Sequence, residues 1–255
     1  MVDVPSKSKN ISSERKITSN KTSNLNDYSL GEFSSMKSPA GNTYRTPQPE
    51  VVEGFEHVKR YWDEINQCWS AKILPGEIYV SRHGEMITTV LGSCISVCVR
   101  DVRLGIGGMN HFMLPDQGNN TNNRWGTNPT TFESRYGNWA MEYLINAILK
   151  MGSKREHLEL KVFGGGKIIP SLTDIGQHNI LFLKQYIRDE SLNVVASDLG
   201  DTCSRKILFF TKTGAVHLKR MHGEKVKEVA NEEKLYQQLL FSKKQKDRGG
   251  DIDLF

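Results

Sequence analysis

The chain has 255 residues, 25% of them charged and 37% hydrophobic, with a formal net charge of +5. This is the composition of a soluble globular protein, long enough for one sizeable core or two small domains. It excludes a membrane span, because no run of about 18 apolar residues occurs, and it gives no basic, aromatic-interleaved surface that would argue for nucleic-acid binding.

The first ten residues, MVDVPSKSKN, lack the apolar stretch of a secretory signal. A cytoplasmic protein with free thiols is therefore expected, since four cysteines (Cys68, Cys94, Cys98 and Cys203) are too few for a disulfide scaffold in a chain of this length. Residues 1–50 are rich in Ser, Thr and Asn and lack apolar periodicity. They read as a disordered tail that cannot bury enough surface to offset its ordering entropy. From 53 to about 70, Phe55, Val58, Trp62, Ile65 and Trp69 recur at spacings of three and four, which predicts an amphipathic helix. GEIYVSR (76–82) reads as a strand, and MITTVLGSCISVCVRD (86–101) as two strands around a Gly-Ser turn. GIGGMNHFMLP (105–115) is strand-like until Pro115. Residues 116–135 form a polar loop long enough to be functional.

A helix follows over 138–152, stopped by Gly152. LELKVFGGG (158–166) is a strand entering a glycine-rich turn, and 174–190 is a second helix. LNVVASDLG, KILFFTKTG and AVHLKR are strands, the last two forming a hairpin over 212–214. The chain thus divides into a tail (1–50), one domain (51–230) and a C-terminal helix or tail (231–255), partly disordered. Strands and helices alternate irregularly, which favours α+β over a doubly wound parallel sheet.

Chemistry concentrates in LGSCISVCVRD (91–101). Cys94 and Cys98 are four apart. On a strand they share a face but stand about 13 Å from each other, too far for one zinc ion or a direct disulfide. No zinc site is expected at these cysteines. Cys98, flanked by valines, reads as inert core. Cys94 follows Gly92 and Ser93 at the mouth of a strand, where turn amides can form an oxyanion hole. A thiol nucleophile needs a base. His57, His83, His157, His178, His217 and His222 read as surface, turn or packing residues. Pairing across the turn at 101–104 brings His111 within a residue or two of Cys94, so Cys94–His111 is a candidate dyad, with a structural histidine as the alternative. Thr88 and Thr89, upstream of Cys94, each offer a hydroxyl to orient the imidazole.

TTVLGSCISVCVRD, GGMNHFMLP, KVFGGG and IGQHNI, in this order over roughly 76–222, resemble the CheD family of chemoreceptor glutamine deamidases. The resemblance implies a fold of packed β-sheets flanked by helices, similar to the deamidating cytotoxic necrotizing toxins. It also implies a Cys–His–Thr triad that hydrolyses receptor glutamines to glutamate without a cofactor. By position, Cys94 is the nucleophile, His111 the base and Thr88 the third member, with Gly92 and Ser93 in the oxyanion turn. Asn110, Gly164, Gly165 and Gly166 are candidate substrate-site residues. The implied partners are methyl-accepting chemotaxis receptors and a CheC-type phosphatase, with no nucleic acid and no membrane insertion. The rival expectation is a non-catalytic regulator that binds that phosphatase or the receptors.

Overall fold

A computed structural model of the chain describes residues 45–115, 132–168 and 175–249. Most of the expected N-terminal tail, most of the polar loop at 116–135 and the C-terminal DIDLF lie outside the described residues.

The first described element corrects the sequence reading. In place of a helix over 53–70, the chain forms an antiparallel hairpin, β1 (Lys59–Asp63) and β2 (Cys68–Lys72), with Trp62 opposite Trp69. The aromatic spacing that mimics a helical stripe arises from two strands folded on each other. Asp63 decides the turn: its Oδ1 accepts from the amides of Ile65 and Asn66 at 3.0 and 2.8 Å and from the Asn66 side chain at 3.0 Å. This local bonding competes with helix. Ile65, a member of the supposed buried stripe, is 92% exposed at the turn. Residues 45–50 also depart from the tail assignment. They run against the hairpin, where the Thr46 carbonyl accepts from Trp69 Nε1 at 2.9 Å and the Arg45 guanidinium lies over the Trp69 ring.

The remaining strands follow the pattern read from sequence: β3 (Ile78–Ser81), β4 (Met86–Leu91), β5 (Ile95–Asp101), β6 (Gly107–Asn110), β7 (Leu158–Gly164), β8 (Val194–Leu199), β9 (Ser204–Phe210) and β10 (Val216–Met221). They make two five-stranded sheets, in the orders β1-β2-β4-β9-β10 and β3-β6-β5-β7-β8. Pairs β2/β4 and β7/β8 are parallel and the others antiparallel. Helix α1 (Phe132–Lys150) begins six residues before the expected Asn138, and α2 (Ile175–Asp189) lies where expected. Helix α3 (Glu224–Gly249) occupies a stretch that the sequence reading split between the domain and a tail. The architecture is α+β.

Three layers result. A side chain on Gly107 of β6 would meet Phe209 and Thr211 of the first sheet, whereas one on its neighbour Gly108 would meet Leu144 of α1. The second sheet is therefore covered on one face by the first sheet and on the other by helices. This explains why β5 is buried along its length except at Arg100. A strand with two covered faces reads as a continuous apolar run. Cys98 sits in that run, buried as expected.

Buried charges lock the layers. Glu85, just before β4, accepts from Arg60 at 2.8 Å, Tyr79 at 2.8 Å and Ser81 at 3.0 Å, tying the β1–β2 hairpin to β3. Arg205 of β9, 1% exposed, reaches Asp198 of β8 at 2.5 Å and so bridges the two sheets.

Candidate active site

The segment Leu91–Ile95 is where the chain leaves one sheet for the other, because β4 belongs to the first and β5 to the second. Its three turn residues have their carbonyls held from behind. The Gly92 carbonyl accepts from Gly166 N at 2.7 Å, that of Ser93 from Asn179 Nδ2 at 2.8 Å, and that of Cys94 from Gly165 N at 2.8 Å. Because a trans peptide sets its N–H opposite its C=O, pinning the Gly92 and Ser93 carbonyls aims the Ser93 and Cys94 amides the other way, and the Gly92 amide points to the same place. Such a nest of amides binds negative charge. Glycine is required behind it: Gly164 has φ +110° and Gly165 φ +68°, and a side chain on Gly164 would collide with the Cys94 carbonyl. Gly164, Gly165 and Gly166 thus buttress the turn from behind. Asn179, in the quoted IGQHNI, was given no role from sequence. Its side chain accepts from Leu114 N at 2.9 Å while holding Ser93.

His111 follows β6, and the pairing Cys98↔Met109 and Ile95↔Phe112 sets it on the Cys94 face of the sheet. The hairpin turn behind it is fixed by Asp101, whose Oδ1 accepts from Arg103 N and Leu104 N, each at 2.8 Å. Cys94 Sγ, a ring nitrogen of His111 and a carboxylate oxygen of Glu233 all lie within 4.8 Å of one another.

The hydroxyl that meets His111 is that of Thr89, not of Thr88, which the resemblance pointed to. Thr89 Oγ1 is 2.8 Å from His111 Nδ1 and 2.8 Å from the Ile73 carbonyl. Consecutive strand residues point to opposite faces, so Thr88 turns away. The hydroxyl proton must go to the carbonyl, which can only accept, so the hydroxyl accepts Nδ1–H from the ring. That tautomer leaves Nε2 as the basic nitrogen, and Nε2 is buried without a hydrogen-bond partner. Asn110, the other candidate, is engaged within the fold. Its Oδ1 accepts from Val97 N at 2.8 Å and its Nδ2 donates to the Ala140 carbonyl at 3.1 Å, fastening β6 to β5 and α1.

Glu233 of α3 gave no sequence signal, being about 140 residues from the turn it meets. Its carboxylate fills the nest, accepting from Gly92 N at 2.8 Å, Ser93 N at 2.7 Å, Ser93 Oγ at 2.7 Å and Cys94 N at 3.1 Å. Cys94 is 0% and His111 2% exposed. Burial, and then the adjacent Glu233 charge, holds the Cys94 thiol well above its ordinary pKa. Burial holds His111 down at about 3. Both groups are therefore neutral in this arrangement. Cys94, His111 and Glu233 are of types that ligate metal, but both carboxylate oxygens of Glu233 are engaged by the turn. Beside His111 and Thr89 lies a cleft of about 180 Å³, walled by Ile73, Leu74 and, from α3, Lys225, Val229 and Glu232.

Comparison with known proteins bears on this arrangement. Residues 113–220 match the family model described as CheD chemotactic sensory transduction. A protein of Halorhodospira halophila is 46% identical over 207 residues, covering 81% of this chain and 94% of that protein. The chain belongs to the CheD family. A CheD of Saccharophagus degradans is 45% identical over 209 residues (80% of this chain, 93% of that protein), and one of Hydrogenovibrio crunogenus 48% over 184 (72% and 93%). All three are named probable chemoreceptor glutamine deamidase CheD. The CheD family-model match takes in the glycine buttress and Asn179 and ends before α3.

Proposed function

We propose that this chain is a chemoreceptor glutamine deamidase in which Cys94 is the nucleophile, His111 the general base and acid, and Thr89 the residue that orients the imidazole. The observation that supports it most is the convergence of three turn amides on one carboxylate beside a thiol and a histidine of defined tautomer.

With a glutamine side chain in the nest, His111 Nε2 takes the thiol proton and Sγ attacks the amide carbon. Negative charge grows on the former carbonyl oxygen, where the amides of Gly92, Ser93 and Cys94 receive it. The imidazolium returns its proton to the departing nitrogen, giving ammonia and a thioester. Water, deprotonated by the same nitrogen, opens the thioester to glutamate and regenerates the thiol. The residues carry every proton, and no cofactor takes part. Thr89 keeps the Nδ1 proton in place throughout, as the third member of such triads does.

The work is placed in the cytoplasm, on the helical cytoplasmic region of methyl-accepting receptors, with a CheC-type phosphatase as a second partner. No described helix is long and apolar enough to cross a membrane. A binding regulator without catalysis is the second reading, and the complete burial of Cys94 favours it. Ammonia release from a receptor cytoplasmic fragment separates the two. The deamidase reading expects conversion of specific glutamines by the wild type and none by Cys94→Ala. A folded wild type that converts nothing on receptors of its own organism would leave the binding regulator.

A further inference from the structure

A carboxylate received by an oxyanion nest, beside a thiol and an imidazole, has the chemical form of the reaction's own product. Glutamine deamidation ends with a glutamate side chain in that place, and here the place is taken by a glutamate of the same chain. Glu233 makes four bonds to this nest, and one of its oxygens lies within 4.8 Å of the thiol. It is presented from the flank of a helix.

We propose that α3 is an intramolecular occupant of the active site, a product-like helix that must leave before a receptor glutamine can enter. This rests on the deamidase reading above.

The helix is built to hold and to release. Of the residues of α3 with described burial, only Val226, Val229, Ala230, Glu233, Tyr236, Gln237 and Leu240 turn inward, a stripe at three- and four-residue spacing. Of these, Val229, Glu233 and Leu240 are buried. Leu235 and Leu239, on the outer side, are more than 60% exposed. Val229 and Leu240 supply the apolar burial of the helix, and Glu233 supplies its bonds to the Gly92–Cys94 turn. Two further contacts fasten the helix. Tyr236 pairs with Tyr136 of α1 through their hydroxyls, and Tyr236 covers Gly76, where a side chain would strike it. A side chain on Gly92 would strike Glu233 and Ile168, so the turn has room for this occupant only because it is glycine. While α3 is seated, neither Cys94 nor His111 is ionised, in keeping with a resting state.

The test changes product into substrate. In the full chain, Glu233→Gln places an amide in the nest. Cys94 Sγ bonds to the carbon of that introduced amide, and the C–N bond breaks with ammonia leaving on a proton that came from the thiol. Water then cleaves the thioester, so that residue 233 becomes Glu and the thiol returns. Peptide mass spectrometry of purified E233Q is expected to find Glu at position 233, with NH2 replaced by OH, and to find the amide retained in E233Q combined with Cys94→Ala. An amide left intact at position 233, in an E233Q sample that still deamidates a receptor fragment, would overturn the proposal while leaving the deamidase standing. Conversion of neither by E233Q, with a wild type that does deamidate the receptor fragment, would also overturn the proposal, and a wild type that converts no receptor glutamine would sink the deamidase reading and this proposal with it.

Glu233→Ala gives a second readout that does not depend on self-conversion. A site closed about 90% of the time or more opens with a gain of about tenfold or more when the closed state is removed. Both receptor-fragment deamidation and alkylation of Cys94 by iodoacetamide are expected to rise by that factor. A fall in deamidation would overturn the proposal and make Glu233 part of the catalytic machinery.

Discussion

Thr89→Val separates the roles of two adjacent threonines that sequence alone cannot rank. Valine has nearly the shape of threonine but cannot accept a hydrogen bond. It would leave His111 Nδ1–H, now 2.8 Å from a hydroxyl, buried and unpaired. An unpaired buried donor costs about 1–3 kcal/mol. Where that loss falls on the oriented imidazole in the transition state, kcat/KM drops about 5- to 150-fold. A ring that flips to satisfy itself elsewhere presents the wrong nitrogen to Cys94 and loses more. Thr89→Ser keeps the hydroxyl and restores most of the rate. Thr88→Val, on the other face of β4, stays within about threefold, as substitutions without a site role do. The assay is ammonia release from a receptor cytoplasmic fragment across pH, with circular dichroism to establish folding. A T88V variant that loses as much as expected for T89V, with T89V near wild type, would refute the tautomer assignment and restore Thr88 as the third member.

Three further outcomes follow from the same geometry. Asn179→Ala leaves the Ser93 carbonyl and the Leu114 amide without their partners, so deamidation should fall by about tenfold or more, although residue 179 touches no reacting atom; unchanged activity would show that the turn is aimed without it. Glu85→Ala strands the Arg60 guanidinium, 10% exposed, beside Tyr79; breaking such a pair costs about 3–5 kcal/mol, read as the urea midpoint, and a loss under about 1 kcal/mol would show the network to be dispensable. Third, His111 is held neutral down to about pH 3 in the fold but protonates near its ordinary 6.5 when unfolded. The unfolded state then binds the extra proton below 6.5. Stability should decline as pH falls from 6.5 towards 3, at up to about 1.4 kcal/mol per pH unit. His111→Gln should flatten that part of the curve, and an identical curve in the variant would show that the ring is already charged in the fold.

Much of this was legible because it is local. Strands β3 to β10 announce themselves by β-branched runs cut by Gly, Pro and Asp, and the turn at 101–104 folds one strand back on the other, so counting residues suffices to bring His111 to Cys94. What failed depended on phase or distance. Thr88 and Thr89 differ by one step along β4, and the face each takes is set by cross-strand register, which the sequence does not print. The aromatic residues of 55–69 satisfy a helical and a hairpin pattern alike, and the deciding group is the short side chain of Asp63. The glycines of FGGG read as candidate substrate-site residues, and their part in holding the turn was not legible, because their amides serve carbonyls about 70 residues away. Glu233 lay beyond any local signal. Its neighbours EEKLYQQ spell an ordinary exposed helix, and only the packed fold shows one of those carboxylates to be buried.

The central claim, covalent catalysis by Cys94, is tested most directly by trapping the thioester. Wild type, Cys94→Ala and Cys98→Ala are incubated with a receptor cytoplasmic fragment and hydroxylamine, and the fragment is mapped by mass spectrometry. The account predicts glutamyl hydroxamate alongside glutamate at the same positions with wild type and Cys98→Ala, and neither product with Cys94→Ala. Conversion that persists in Cys94→Ala, or that yields glutamate alone under any hydroxylamine concentration, would contradict it.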